Sequence, residues 1–390
     1  MNKKLVFYVG NFDKPDANAA GKRVYGVALI LVKLGYRVVL IGKSKLLNTD
    51  EYPIQYGKNI VYYSFPRISL INTKAFVDYV VNIMKIEGTP QFVIRYGSPG
   101  LCLFDKKIVS LCKEKGIKLI ADVVDWLSSA SNNPFFNFIK TTDTYFEKAI
   151  YNKKSNGVIA ISSYLSDYYT EAGCKTLIVP PLVGDYLKNE GTNNKIRIVY
   201  AGIPFRLGRM VKKADEVKDR LDLVVKAIGS LDKTSVKPVL DIYGITEDQY
   251  LTAYPNHKTV LDKNKDTICF YGNKPMDEVQ KAVRNADFVI LIRDKNRATM
   301  AGFPTKVVES LSMGTPVITT DTSDLSKYII QGKTGFFVDA TDEKRLANQL
   351  AEICEIDEEK LSRMKQCCYE SRDFCAERFT NIFSEFINNL

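Results

Sequence analysis

The stretch AGFPTKVVESLSMGTPVITT, residues 301–320, brings Gly302, Pro304, Thr305, Lys306 and Glu309 close together. Together they have the makings of an anion-binding helix start. A proline suits a first helical turn because the amide hydrogen it lacks would have had no intrahelical acceptor. The free amides of Thr305 and Lys306, with the positive end of the helix dipole, then favour a phosphate group. Gly302 lets the backbone be approached closely. Glu309 lies one turn deeper than Thr305 on the same face, where a carboxylate can accept from a sugar diol. Gly314 ends the helix and TPVITT begins a strand. An ordinary capped helix of an α/β protein would give the same pattern over this stretch alone.

Other reactive groups are few. The eight cysteines show no CxxC spacing, and the single histidine, His257, stands in a polar stretch. Structural, reduced thiols are therefore expected, with no zinc site, no disulfide framework and no Ser-His or Cys-His nucleophile. Base chemistry falls to carboxylates or to the substrate. Asp122 and Asp125, in ADVVDW beside the only tryptophan, are the best carboxylates for hydrogen-bonding a sugar or orienting an acceptor hydroxyl, with capping of the following turn as the competing role. In the first loop, GNFDKPDANAAGKR, Gly21 permits close backbone approach near a helix start while Asp13, Asp16 and Lys22 offer polar contacts. A mobile surface loop is the alternative there.

These residues need strands and helices to position them. Apolar strand runs alternate with helical patterns, as a parallel sheet covered on both faces demands. A first set comprises strands at 4–10, 36–42, 59–65, 91–97, 117–124, 157–162 and 175–180, with helices at 22–35, 72–87 and 104–115. The polar segment LKNEGTNNK (187–195) follows and is expected to be a hinge. A second set has strands at 196–202, 238–244, 267–272, 287–293, 315–320 and 335–339, and the remainder is helical. The expected domains are 1–186, 187–365, and a helix over 366–390 returning to the first. Ligands of doubly wound sheets bind beyond the carboxyl ends of the strands, here in an expected interdomain cleft.

Composition sets the remaining bounds. The 390 residues are 45% hydrophobic and carry 55 basic against 45 acidic side chains, a formal charge of +10. The excess suits an anionic partner such as a nucleotide or an anionic membrane face; a lysine-rich solvated surface would also produce it. No nucleic-acid-binding signature is present, and no nucleic-acid partner is expected. The run VYGVALILVKLGYRVVLIG is broken by Lys33, Gly35 and Arg37, so no membrane span is expected. The apolar run after MNKK is too short for a signal-peptide core. A cytoplasmic chain is expected.

The text AGFPTKVVESLSMGTPVI followed by QGKTGFFV (331–338) resembles the retaining glycosyltransferases of family 4, whose pattern runs EGFGxxxxEAMAxGxPVI and then GxTGxLV. VIAISSYLSDYYTEAGCKTLIVPPLV, IVYAGIPF, KDRLDLVVKAI and FYGNKPMDEVQKAVRNADFVILI are similar to further segments of that family. The likeness runs from about 156 to 340. It implies the GT-B fold, two doubly wound Rossmann-like α/β domains facing a cleft.

Carried over residue by residue, Glu309 matches the carboxylate that holds the ribose hydroxyls. Lys218 matches the family's lysine, and Arg206 is the nearest candidate for the arginine that pairs with it to neutralise the donor diphosphate. Arg209, Lys212 and Lys213 are alternatives to Arg206. Gly302, Phe303, Pro304, Thr305, Lys306 and Arg293 join Gly21 and Glu309 on the nucleotide-sugar side, and Asp122, Asp125, Arg206 and Lys218 on the catalytic side. The family's first carboxylate is absent: Ala301 stands there, with Arg293, Asp294 and Arg297 as substitutes for contact with the sugar.

The resemblance thus implies transfer of a sugar from a nucleotide donor, expected to be a UDP sugar, to a glycan or lipid-linked acceptor in cell-surface polysaccharide synthesis. Retention of configuration, independence of metals and cofactors, and docking at the inner face of an anionic membrane are further expectations. A non-catalytic GT-B subunit that binds a glycan or a partner enzyme is the alternative, favoured by Ala301.

Overall fold

The computed structural model describes residues 4–15, 17–44, 53–66, 72–97, 102–126, 134–191, 194–231 and 237–390. Asp16 and residues 98–100 lie outside them. The chain forms two compact units, one of residues 1–184, 300–303 and 374–390, the other of 185–299 and 304–373.

The first unit is built on strands β1 (Leu5–Gly10), β2 (Arg37–Ser44), β3 (Ile54–Gln55), β4 (Ile60–Pro66), β5 (Phe92–Tyr96), β6 (Lys118–Val123), β7 (Gly157–Ala160) and β8 (Thr176–Ile178). Their spatial order is β3-β4-β2-β1-β5-β6-β7-β8. Every neighbouring pair is parallel except β3 with β4. The two-residue β3 is the strand that hydrophobic runs do not reveal, because so short an antiparallel edge carries no apolar signal.

β1 shows why the sheet must be covered twice. Val6 and Tyr8 enter one apolar cluster, Leu5, Phe7 and Val9 the other, as period-two side chains must. The first cluster is closed by helix Ala19–Lys33 and by Phe379, Phe383 and Phe386 near the chain's end. The second is closed by helices Thr73–Glu87 and Cys102–Glu114. Helix Ala19–Lys33 begins three residues before the expected start because Asn18 caps it, accepting from the Gly21 amide at 3.0 Å.

The second unit holds β9 (Arg197–Ala201), β10 (Val239–Tyr243), β11 (Ile268–Gly272), β12 (Phe288–Leu291), β13 (Val317–Thr319) and β14 (Gly335–Phe337). All are parallel, in the order β11-β10-β9-β12-β13-β14. The order reverses at β9, so the crevice where doubly wound sheets bind ligands lies between the carboxyl ends of β9 and β12.

The expected hinge behaves otherwise. The change of unit comes at Gly184/Asp185, and residues 188–191 are tied to the second unit. Asn189 donates to the Ala286 carbonyl and to Thr315 Oγ1, at 2.7 and 2.8 Å. A Cβ on Gly191 would stand 2.1 Å from the Asn285 carbonyl oxygen. Polar composition marked a linker, but the Asn189 side-chain amide uses the same polarity to hold residues 188–191 to the second unit. No helix of the described residues is long and apolar enough to cross a membrane.

Candidate functional site

The second unit gathers charge at its switch point. β9 carries Tyr200 near its end and is followed by Gly202, β12 runs into Arg293, Lys218 and Asp219 follow the long β9 loop, and helix Thr305–Ser312 contributes Lys306 from its first turn. Asp219 is the centre. Its side chain is almost fully buried and accepts from Tyr200 Oη at 2.7 Å, Arg293 Nε at 2.7 Å and Lys306 Nζ at 2.6 Å. Lys306 Nζ also donates to Tyr200 Oη at 3.1 Å and sits 4.3 Å from the centroid of that ring. Gly202 makes room: a Cβ there would lie 2.3 Å from Lys306 Nζ.

The electrostatics follow from three cations facing one carboxylate. Burial alone would raise the Asp219 pKa, but Lys306 and Arg293 override it and hold the carboxyl well below its usual range. Burial lowers Lys306 to about 8, with Arg293 and Lys218 pushing the same way and Asp219 opposing them. Partial burial, then Arg293, lowers Lys218. Tyr200 is raised well above the ordinary phenol value by burial and then by the Asp219 charge. The group keeps an excess of positive charge that reaches solvent through Lys218, which is what an anion needs.

Three residues expected on sequence grounds, Lys218, Arg293 and Lys306, therefore share one cluster. Arg206 does not: it is exposed in the loop after β9, as are Arg209, Lys212 and Lys213. Arg293 has the side chain, 9% exposed, that stands among the other cations. Pro304 is the N-cap of helix Thr305–Ser312 rather than its first residue, its carbonyl accepting from the Val307 amide at 3.1 Å. Thr305 and Glu309 are half-buried on this helix. Gly302 and Phe303 belong to the first unit, where Phe303 packs edge-on against Phe374. Ala301 is fully buried there and its carbonyl accepts from Ser162 Oγ at 2.6 Å. The two Asp294 carboxylate oxygens each accept from Arg220 Nη1 at 3.0 Å, while Arg297 is exposed.

Candidates in the first unit have interior roles. Asp122 is fully buried, with its carboxylate held by Tyr8 Oη and by Arg23 Nη2 at 2.8 Å and Nε at 3.3 Å. Arg23 spends its remaining nitrogen on the Val179 and Pro180 carbonyls, at 2.5 and 2.8 Å. An open carboxylate was expected at Asp122, and an interior ion pair is found, because Arg23, five residues past Asn18, is on the buried face of its helix. Asp125 is half-buried past β6. Gly21 does allow a close approach, but of its own loop: a Cβ would lie 2.1 Å from the Lys14 carbonyl oxygen. Asp13 is buried, held by Asn18 Nδ2 and 3.5 Å from Lys43 Nζ. His257 is buried too, its Nδ1 2.8 Å from Tyr250 Oη and its ring stacked on Tyr254, and burial lowers its pKa.

Sequence reasoning missed Asp219 and Tyr200. The one available signal was their placement, a tyrosine at a strand end and an acid directly after Lys218. Among the described residues no group of three or more His, Cys, Asp or Glu side chains is placed to hold a metal ion.

Residues 210–370 match the family model of glycosyl transferases group 1. Among curated proteins, the putative colanic acid biosynthesis glycosyltransferase WcaL of Salmonella typhimurium is 33% identical over 98 residues, 25% of this chain and 24% of that protein. Its Escherichia coli counterpart is 30% identical over 100 residues, again 25% and 24%. The match thus spans about a quarter of each relative. Solved structures extend the likeness to the whole chain at the level of fold. A sucrose-phosphate synthase from Thermosynechococcus elongatus aligns with a TM-score of 0.70 at 14% identity, covering 99% of this chain and 98% of that one. Anabaena Alr3699/HepE in complex with UDP aligns at 0.61 and 14% identity, covering 99% and 100%. The chain therefore has the GT-B fold of two Rossmann-like α/β domains, and its residues 210–370 carry the glycosyl transferases group 1 match.

Proposed function

We propose that the chain is a retaining, metal-independent glycosyltransferase of family 4 that moves a sugar from a UDP donor to a glycan or lipid-linked acceptor in cell-surface polysaccharide synthesis. The observation that carries this reading is the cluster of Lys218, Arg293 and Lys306 around Asp219 at the β9/β12 switch point. Loss of a nucleoside diphosphate builds negative charge on the departing oxygens, and fixed cations in a partly dry site stabilise it without reorganising. Lys218, Arg293 and Lys306 would bind the diphosphate, and the amides at the start of helix Thr305–Ser312 would add donors. Glu309, one turn further along, would hold the ribose. In a same-face transfer the acceptor oxygen bonds to the anomeric carbon as that carbon's bond to the diphosphate oxygen breaks, and the departing phosphate takes the acceptor's proton, so the protein contributes position and charge.

Two relatives named for colanic acid biosynthesis support polysaccharide as the product class. A neighbour solved with UDP-glucose supports the donor class. The net positive charge suits cytoplasmic work at the inner face of an anionic membrane. Calorimetry with UDP and GDP, followed by release of sugar from candidate donors, tests the reading. Glu309→Ala is expected to weaken UDP binding by about 1–3 kcal/mol, and wild-type affinity in that variant would count against it.

One observation favours a second reading. Ala301, buried with its carbonyl bound to Ser162, stands where the family's first carboxylate would be. A non-catalytic GT-B subunit that binds a glycan or a partner enzyme would need no such group. Complete absence of nucleotide binding supports it.

A further inference from the structure

Asp219 does more than neutralise charge. Its Oδ1 takes Arg293 Nε and its Oδ2 takes both Tyr200 Oη and Lys306 Nζ, so the carboxylate is fixed from two sides before the lysine reaches it. An ammonium has three protons to give. Lys306 gives one to Asp219 and one to Tyr200 Oη, and Gly202 leaves the space beside Nζ clear of a side chain.

We propose that Asp219 is a positioning residue for diphosphate binding, holding the Lys306 ammonium charged and aimed at the switch point so that its remaining proton meets the phosphate. This rests on the reading of the cluster as the diphosphate site. The charged and titratable groups facing Lys306 are Asp219, Arg293, Lys218 and Tyr200. Burial pulls the lysine to about 8, and both other cations pull it the same way. Asp219 alone among the charged groups opposes them. An opposite charge at this range is worth about 1–3 pKa units, so without it half or more of the lysine would be neutral at pH 7.

The experiment uses the full chain, with UDP affinity measured by calorimetry from pH 6 to 9.5 and, in parallel, the Lys306 side-chain nitrogen followed by NMR in protein labelled with nitrogen-15 lysine. Wild-type affinity is expected to fall as pH rises through about 8, because phosphate binds the ammonium and not the amine. In Asp219→Asn that fall moves to lower pH by about 1–3 units, an affinity loss of about five-fold or more at pH 8. Asp219→Glu restores part of it. In Lys306→Arg combined with Lys218→Arg, which leaves Asp219 untouched and cannot lose either proton in this range, the fall near pH 8 disappears.

A wild-type pH profile in Asp219→Asn, or a fall near pH 8 retained when Lys306→Arg is combined with Lys218→Arg, would overturn the proposal. If the wild type binds no UDP at any pH, the diphosphate reading fails by itself. The NMR titration needs no nucleotide, so a Lys306 midpoint that Asp219→Asn leaves in place overturns the role given to Asp219 in either case.

Discussion

Asp122 and Asp219 are both buried aspartates near the carboxyl ends of strands, one in each unit, and they have opposite surroundings. Asp122 faces one cation, and Arg23 is itself closed off by the Val179 and Pro180 carbonyls. Asp219 faces Arg293 and Lys306, with Lys218 close by and open to solvent. The first pair is balanced and sealed. Burial would lower the Arg23 pKa, but the Asp122 charge and hydrogen bond override it and raise it, as in a permanent ion pair. In the second group burial, reinforced by repulsion among the cations, depresses two lysines, and an incoming anion relieves that repulsion. Burial of a carboxylate therefore says little about function; the sign and exposure of the charge left over say much more.

That contrast breaks most visibly at Asp122. Asp122→Ala leaves Arg23 buried without its counter-ion and is expected to cost about 3–5 kcal/mol of stability. Denaturant unfolding measures it, and a loss below about 1 kcal/mol would mean the pair is not sealed. Lys306→Met is the matching change in the second unit. It is expected to weaken UDP binding by about 1.5–3 kcal/mol, the worth of a hydrogen bond to a charged group. Titrations at rising salt check it, since the wild-type advantage should shrink as screening grows.

Glu147 sharpens the comparison from a different side. It is buried in the first unit, on the π-helical turn Phe146–Tyr151, with Oε2 lacking a hydrogen-bond partner. Burial, and then the Asp105 charge, raises it to about 8 from the ordinary 4.5. Between those values the unfolded chain is ionised while the folded one keeps the proton. The folded state is therefore favoured most at acid pH and loses stability as pH rises from 4.5 through about 8. Glu147→Gln removes this penalty and is expected to add on the order of 1–2 kcal/mol at pH 8 and nothing near pH 4. Thermal unfolding at the two pH values decides it.

The smallest effect is expected at Arg206→Ala. An exposed arginine outside the Asp219 cluster should change UDP affinity by less than about 1 kcal/mol. Arg293→Ala, measured alongside by calorimetry, should do several-fold more damage. Equal losses would return Arg206 to the site.

Much of the architecture could be read in advance from the chain. β1, β5 and β9 each appear within a residue or two of the apolar runs that announce them, because a strand buried on both faces leaves no polar interruption. The helix at Thr305 was legible through Pro304 and Gly314, which act locally on the backbone. Lys306 was legible at a helix start, Arg293 at a strand end, and Lys218 through the family resemblance. What joined them was not. Tyr200 and Asp219 have no distinctive local spacing, and Arg23 looked like any charge on an amphipathic helix.

The sequence by itself determined the alternation of strands and helices and the places where phosphate-binding chemistry could be displayed, since periodicity, proline and glycine act within a few neighbouring residues. Tertiary structure alone decided which acid met which base. Arg23 and Asp122, or Asp219 and Lys306, are far apart along the chain, and only the parallel crossovers of each sheet bring them within hydrogen-bond distance. Their pKa values, and so their chemistry, come from that meeting and from the water it excludes.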